Sequence, residues 1–372
     1  MKKISTETSS EYGRIYNFSS GPAVLPQPVL ETAWRNLMNL DGEGMSVMEM
    51  SHRSPKFQEI LEKAQSGLRS LMQIPDDFHI LFLQGGAALQ FSMVPMNFHA
   101  EGRSADYVVT GAWGEKAVKE AGRFGIPKTI FDGSARGYCD TPEQTDLSIS
   151  PDAAYVHYTS NETIDGVEFP YDLNGHGVPV VCDASSNILS KPFDMSKYDL
   201  IYAGAQKNIG PSGVTVVIIR NELLERIPKT LPTLLNYRSF ADNDSMPNTP
   251  NTWGIYLIGL VCDWLSEQGG VEGIEKTNKA KAKILYDAID ASDGFYEGHA
   301  ERSSRSRMNV TFRLPSEELD DKFCAVAEKQ GFSGLRGHRS VGGIRASIYN
   351  AFPVEGVEKL VELMSDFSSQ NR

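Results

Sequence analysis

The sequence is short of cysteine, of basic charge and of long apolar runs, and each shortage excludes something. Only four cysteines, Cys139, Cys182, Cys262 and Cys324, occur in 372 residues. They are far apart and have no metal-ligand spacing, which argues against a disulfide scaffold and a metal centre. They read as reduced thiols of a cytoplasmic protein. Thirty-six Lys and Arg against 48 Asp and Glu leave a formal net charge of -12. A nucleic-acid partner would require a basic face, so none is expected. No apolar run approaches the roughly 20 residues of a membrane-spanning helix, so no membrane partner is expected either. The chain shows no internal repeat and no low-complexity linker. Its first fourteen residues are polar, rich in Ser and Thr, and lack the apolar core of a secretory leader. The expectation for residues 1–15 is a flexible tail.

What is present suits a soluble enzyme: 40% hydrophobic and 23% charged residues, in a chain long enough for two cores. From Gln27 onward, helical and strand-like patterns alternate. Val29, Leu30, Ala33, Trp34, Leu37 and Met38 fit one helical face, and Ser54-Pro55 reads as a helix start before an apolar stripe from Phe57 to Leu71. Strand-like runs follow at His79–Leu83, Asp106–Thr110, Thr129–Phe131, Ala153–Tyr158, Val178–Cys182, Leu200–Tyr202 and Val214–Ile219. Several are separated by helix-length segments, which predicts an α/β fold with a mostly parallel seven-stranded sheet covered by helices. After Trp253 the texture changes to a long helical stretch through Ile284. A strand near Met308–Leu314, a helix near Asp321–Gln330, a strand near Gly343–Tyr349 and a helix near Val354–Phe367 complete a smaller α/β domain. The expected division is a large domain over 16–266 and a small domain over 267–372, with the first residues after 16 packing against the small one.

In open α/β sheets ligands bind beyond the carboxyl ends of strands. Lys207 stands there, in the run A-G-A-Q-K-N-I-G-P-S-G that follows Leu200–Tyr202. A partly desolvated amine loses its proton more readily and becomes a nucleophile toward an aldehyde. Asp183, 24 residues earlier, ends another apolar run. A carboxylate there costs on the order of several kcal/mol unless a cation meets it. A pyridinium nitrogen would serve, and the aldehyde cofactor that has one is pyridoxal 5'-phosphate (PLP). A salt bridge between Asp183 and Lys207 is the plain structural alternative.

Other strand ends add to the pattern. Gln84-Gly85-Gly86-Ala87-Ala88 leads from a strand into a helix, where free backbone N–H groups make an anion site. Trp113 lies between Gly111 and Gly114, accessible as a stacking plate. Thr163 follows another strand and is a candidate donor to a ring oxygen, and Gln206 adjoins Lys207. Two basic groups remain on this acidic chain: His52-Arg53, and Arg336, His338, Arg339 and Arg345 in G-L-R-G-H-R-S-V-G-G-I-R. Arginine's planar fork matches carboxylate and phosphate, which points to an anionic substrate, while Arg336 reads as plain surface.

With these residues in place, the chain resembles the phosphoserine aminotransferases, fold-type I PLP enzymes of the class-V aminotransferase group. The resemblance runs through Y-N-F-S-S-G-P-A, M-S-V-M-E-M-S-H-R-S, Q-G-G-A-A-L-Q-F, N-E-T-I-D-G, A-G-A-Q-K-N-I-G-P-S-G, M-P-N-T-P and G-H-R-S-V-G-G-I-R-A-S-I-Y-N-A, in order over nearly the whole chain. It implies that Lys207 bonds PLP and shuttles the substrate proton, while Asp183 keeps the pyridine nitrogen protonated. It also implies that Trp113 stacks on the ring, that Thr163 bonds its phenolate oxygen, and that Ala87, Ala88 and Gln206 contact the cofactor. Asn248 and Thr249 would reach the phosphate bound in a neighbouring subunit, making the active site that of a homodimer. Arg345 would anchor the substrate α-carboxylate, and His338 and Arg339, with His52 and Arg53 from the partner subunit, would clamp the distal phosphate or carboxylate. The implied reaction is O-phospho-L-serine plus 2-oxoglutarate exchanging with 3-phosphohydroxypyruvate plus L-glutamate, with 4-phosphohydroxy-L-threonine as a second candidate substrate. Where some relatives carry Ser or Arg this chain has Ala88. The rival activities are another class-V amino transfer and sulfur transfer, the latter requiring a nucleophilic cysteine for which Cys324, in an apolar helical pattern, is poorly suited.

Overall fold

The computed structural model of the protein describes residues 12–99 and 102–372; the expected tail falls, up to residue 11, outside the described residues. The chain opens with a two-residue strand β1 (Tyr16–Asn17), then α1 (Gln27–Arg35) and α2 (Pro55–Met72). Next come β2 (Phe78–Leu83), α3 (Gly86–Phe98), β3 (Ala105–Val109), α4 (Ala112–Ala121), β4 (Pro127–Asp132) and β5 (Val156–Thr159). A short hairpin, β6 (Asn161–Glu162) and β7 (Val167–Glu168), precedes β8 (Val180–Asp183), β9 (Leu200–Gly204) and β10 (Thr215–Arg220). Helices α5 (Asn221–Leu224), α6 (Tyr237–Asp242), α7 (Thr252–Glu267) and α8 (Gly270–Asp290) follow. The remainder is β11 (Glu297–Gly298), β12 (Asn309–Arg313), α9 (Glu317–Lys329), β13 (Phe332–Ser333), β14 (Ile344–Ser347) and α10 (Val354–Asn371).

The main sheet has seven strands in the order β2-β10-β9-β8-β5-β3-β4, and β10 alone runs antiparallel to its neighbours. All seven expected strands are in it. The apolar runs of the six strands other than the edge strand β4, which is only partly buried, are explained by burial on both faces, as helix-covered parallel sheets require. Along β10, Val216 and Ile218 join one core with α2 and α7, while Val217 and Ile219 join the opposite core with α3 and α4. The same alternation places Ile80 and Phe82 on one side of β2 and Leu81 and Leu83 on the other. Helix α2 starts as expected, with the Ser54 hydroxyl accepting from the Phe57 backbone N–H.

A third core gathers Leu285, Tyr286, Val310, Phe312, Phe323, Ile344, Leu360 and Met364 around the three-stranded sheet β11-β12-β14. Phe18 belongs to it, and β1 pairs in parallel with β13. The long helical stretch after Trp253 is two helices rather than one. Gly269 and Gly270, both at positive φ, break it, with Gly269 as the left-handed N-cap of α8.

The expected face of α1 is not observed. The helix ends at Arg35, so Leu37 and Met38 lie outside it. Only Val29 and Ala33, four residues apart, are buried; Leu30, Trp34 and Met38 are exposed, Trp34 at 68% and Met38 at 82%. Residues one position round the helix from Val29 and Ala33 point about 100° away from the core.

A buried amide junction ties the segment after Lys207 to the C-terminal elements. Asn208 donates to the Ile188 carbonyl at 2.6 Å and accepts from the Asn350 N–H at 2.9 Å. The Asn350 side chain donates to the Leu189 carbonyl and accepts from Asn278. Lys281, wholly buried, donates to the carbonyls of Ile348, Tyr349 and Phe352. Replacing Asn208 with Ala would orphan a buried N–H and a buried carbonyl, each worth ~1–3 kcal/mol. The expected result is a clear fall in the urea midpoint of Asn208→Ala; an unchanged midpoint would show the junction contributes nothing.

Candidate active site

The carboxyl ends of β8 and β9 and the first turns of α3 and α4 converge on one cavity of about 380 Å³. Its wall includes Ala87, Ala88, Trp113, Thr163, Asp183, Gln206, Lys207, His338 and Arg345, so nine of the expected site residues share one space. Arg339 is exposed and does not line it, nor do His52, Arg53, Asn248 and Thr249. Arg336 pairs with Asp321 at the surface, as its sequence context suggested.

Lys207 emerges three residues after β9 and its Nζ donates to the Thr163 hydroxyl at 2.5 Å. Desolvation lowers its pKa from the ordinary 10.5 to about 8; Asp183 and Glu162 oppose the shift without cancelling it. Among the described residues Lys207 forms no ion pair, so the plain salt bridge with Asp183 is not present. Asp183, 4% exposed, accepts from the Ser185 N–H at 2.9 Å, with the Ser185 and Tyr202 hydroxyls close by. Burial raises its pKa, and Lys207 and these groups pull it back.

The remaining walls supply an anion cradle and a plate. Gly85, at a φ of 87°, is the left-handed N-cap of α3, and no side chain caps the helix. The first N–H groups of α3 therefore face the cavity at the positive end of its dipole. A side chain at Gly85 would press into Leu89, which accounts for glycine there. Trp113 sits in the first turn of α4, half-buried, with an indole N–H that has no hydrogen-bond partner. Lys207 Nζ lies 5.2 Å from the centre of its ring.

At the far side, Arg345 comes from β14, as its place at the head of an apolar run suggested. It is buried, donates to the Ser20 hydroxyl at 2.8 Å, leaves its Nε unpartnered and forms no ion pair among the described residues. A buried guanidinium without a carboxylate is costly unless an anion joins it. His338 Nδ1 lies 2.6 Å from the Ser340 hydroxyl and 3.2 Å from the Ser340 N–H. Burial lowers the His338 pKa, and the nearby charges of Arg345, Lys116 and Arg339 lower it further.

The arrangement fits PLP on its own chemistry. A desolvated amine suits the aldehyde, a buried carboxylate the pyridine nitrogen, an uncapped helix end the phosphate, and an indole face the ring. Sequence reasoning missed Ser20, Ser185 and Tyr202, and also Glu162 and Asp165. Ser20 and the two acids lay inside motifs already quoted, S-S-G-P and N-E-T-I-D-G. No group of His, Cys, Asp and Glu among the described residues is arranged to hold a metal.

Known proteins decide the family. The family model for aminotransferase class-V matches residues 15–360. The phosphoserine aminotransferase of Geobacillus kaustophilus is 54% identical over 354 residues, covering 95% of this chain and 98% of that one. The chain belongs to the phosphoserine aminotransferase family, within class V. The enzyme of that name from Chromobacterium violaceum is 53% identical, covering 96% of this chain and 99% of its own. Among solved structures, phosphoserine aminotransferase from Bacillus circulans subsp. alkalophilus superposes with a TM-score of 0.95 at 48% identity, covering 96% and 99% of the two chains. PLP-bound phosphoserine aminotransferase from Trichomonas vaginalis gives 0.89 at 39% identity, covering 95% and 100%.

Only the neutral form of Lys207 attacks an aldehyde, and its neutral fraction grows as pH rises through its pKa. The rate at which apoprotein takes up PLP is therefore expected to rise with a midpoint near pH 8. Stopped-flow absorbance across pH 6–11 checks this; a midpoint close to 10.5 would contradict it.

Proposed function

We propose that this protein is a PLP-dependent phosphoserine aminotransferase. It exchanges O-phospho-L-serine and 2-oxoglutarate for 3-phosphohydroxypyruvate and L-glutamate, on the route to L-serine. The observation that carries the amino-acid and keto-acid reading is Arg345, a buried guanidinium without an acidic partner in the same cavity as the Lys207 amine, and His338 on the same wall supports an anionic distal group.

When bound, PLP supplies a sink for the electron pair released at the substrate Cα. Lys207 would hold the cofactor through its aldehyde and would carry the proton between the substrate Cα and the cofactor carbon. Asp183 would keep a proton on the pyridine nitrogen, Thr163 would bond the ring oxygen and Trp113 would cover the ring. Ala87 and Ala88, through backbone N–H, would hold the phosphate, and Gln206 would also contact the cofactor. Arg345 receives the α-carboxylate common to all four substrates and products. His338 and Arg339 meet the distal group, which is a phosphate in one half-reaction and a carboxylate in the other. Both are anions that accept forked hydrogen bonds, so one clamp serves both.

The working unit in this proposal is a homodimer. The exposed Trp34, Met38 and Met48 favour a covered surface, and Met48 lies four residues before His52. His52 and Arg53 would then complete the partner's substrate clamp, and Asn248 and Thr249 its phosphate site. We assign the large domain to 16–266 and the small domain to 267–372, a cytoplasmic location, and 4-phosphohydroxy-L-threonine as a further substrate. Sulfur transfer is disfavoured, because Cys324 does not line the cavity and burial raises its pKa, the reverse of a reactive thiol.

A coupled assay of glutamate formation from O-phosphoserine and 2-oxoglutarate tests the proposal. Wild type is expected to turn over, Lys207→Ala to show no turnover, and Arg345→Ala to lose roughly 10- to 100-fold in kcat/KM, the worth of one charge-assisted contact. Wild-type protein inert toward phosphoserine but active on a neutral amino acid would overturn the substrate assignment.

A further inference from the structure

Two carboxylates of the N-E-T-I-D-G segment have no part in the mechanism above, yet they lie against the cavity wall. Glu162, wholly buried on β6, accepts from the Trp113 N–H at 3.0 Å through one oxygen and from the Gly114 N–H at 2.8 Å through the other. Asp165, 4% exposed, accepts from the Ala112 N–H at 3.2 Å. Three consecutive N–H groups in the first turn of α4 are thus taken by side-chain carboxylates, and neither acid forms an ion pair among the described residues. The chain makes room for this contact at Gly111. A Cβ there would lie 2.5 Å from the Glu162 carboxyl carbon and 2.6 Å from an Asp165 oxygen.

We propose that Glu162, seconded by Asp165, is a positioning residue that orients the Trp113 plate and directs the cofactor phosphate to α3. The indole N–H makes no hydrogen bond of its own, so the backbone clamp acts beside the Lys116 ammonium, 3.9 Å from the ring centre, in fixing its placement. Both α3 and α4 begin at the cavity wall, and a free helix N-terminus attracts an anion. Glu162 and Asp165 take up the first N–H groups of α4 and leave only the α3 terminus at this wall uncapped. Thr163, the next residue after Glu162, holds the Lys207 amine. One short hairpin therefore sets the plate, the amine and the direction of the phosphate together.

The inference rests on the PLP assignment, and the test separates the two. PLP titration of the wild-type apoprotein, followed by absorbance and by the visible circular dichroism of the bound cofactor, tests the assignment. The same titration of Glu162→Gln, Gly111→Ala, Trp113→Ala and the Glu162→Gln/Trp113→Ala pair tests Glu162. The amide of Gln cannot accept from both N–H groups, and the Ala methyl displaces the carboxylate without altering it. Each is expected to raise the PLP dissociation constant about tenfold and to shrink the dichroism band. Because Glu162 acts in part through Trp113, the pair is expected to lose clearly less PLP affinity than the product of the two single losses. A full multiplicative loss in the pair, or unchanged affinity and dichroism in both Glu162→Gln and Gly111→Ala, would overturn the proposal while leaving the cofactor assignment standing. If Glu162→Gln does not fold, Gly111→Ala carries the same comparison.

Discussion

The rest of the site depends on keeping the Lys207 amine desolvated without giving it an ion pair. A carboxylate in direct contact would hold the proton on the amine and suppress its nucleophilicity. Instead a neutral hydroxyl, that of Thr163, occupies the contact position. Asp183 and Glu162 stay near enough to be felt, but desolvation remains the larger effect. The seven-stranded sheet makes this possible. Its inner strands are apolar on both faces, so β8 and β9 deliver polar side chains from a dry core to a single edge.

Charge around the cavity is separated by element. The acids come from the main sheet and the hairpin that follows β5: Asp183 from β8, Glu162 from β6 and Asp165 from the turn after it. The Arg345 cation and the His338 ring come from β14 and the loop before it, on the C-terminal side of the chain. The acids are satisfied by backbone N–H groups, whereas Arg345 is left with an unpartnered Nε. A site built this way offers a cation to an incoming anion without its own acids competing. The buried amide junction of Asn208, Asn278 and Asn350 links the two halves of that arrangement.

Much of this was legible in the sequence, for physical reasons. Six of the seven strands announced themselves because burial on two faces forces unbroken apolar runs, while the edge strand β4 is only partly buried. Lys207 and Asp183 stood out because each ends such a run, where a charged residue demands a reason. Arg345 stood out because it begins one. Less visible was anything set by tertiary contact alone. Two-residue strands such as β1 and β13 have no periodicity to read. The α1 pattern misled because apolar spacing alone does not distinguish a core face from an exposed one: Val29 and Ala33 turn inward while Leu30 and Trp34 turn outward. Glu162 and Asp165 looked like ordinary turn residues, since nothing local indicates that the N–H groups they hold lie some fifty residues earlier. His52, Arg53, Asn248 and Thr249 lie away from the cavity of their own chain, so their roles depend on an assembly that one chain does not contain.

The central claim is that Lys207 is the residue joined to PLP and released by an anionic amino acid. Borohydride reduction of the PLP-loaded protein, followed by digestion and mass spectrometry, tests it directly. The account predicts a phosphopyridoxyl group on the peptide containing Lys207, lost when O-phosphoserine is added before reduction and retained when alanine is added. A label on another lysine, or one at Lys207 that phosphoserine leaves untouched, would contradict it.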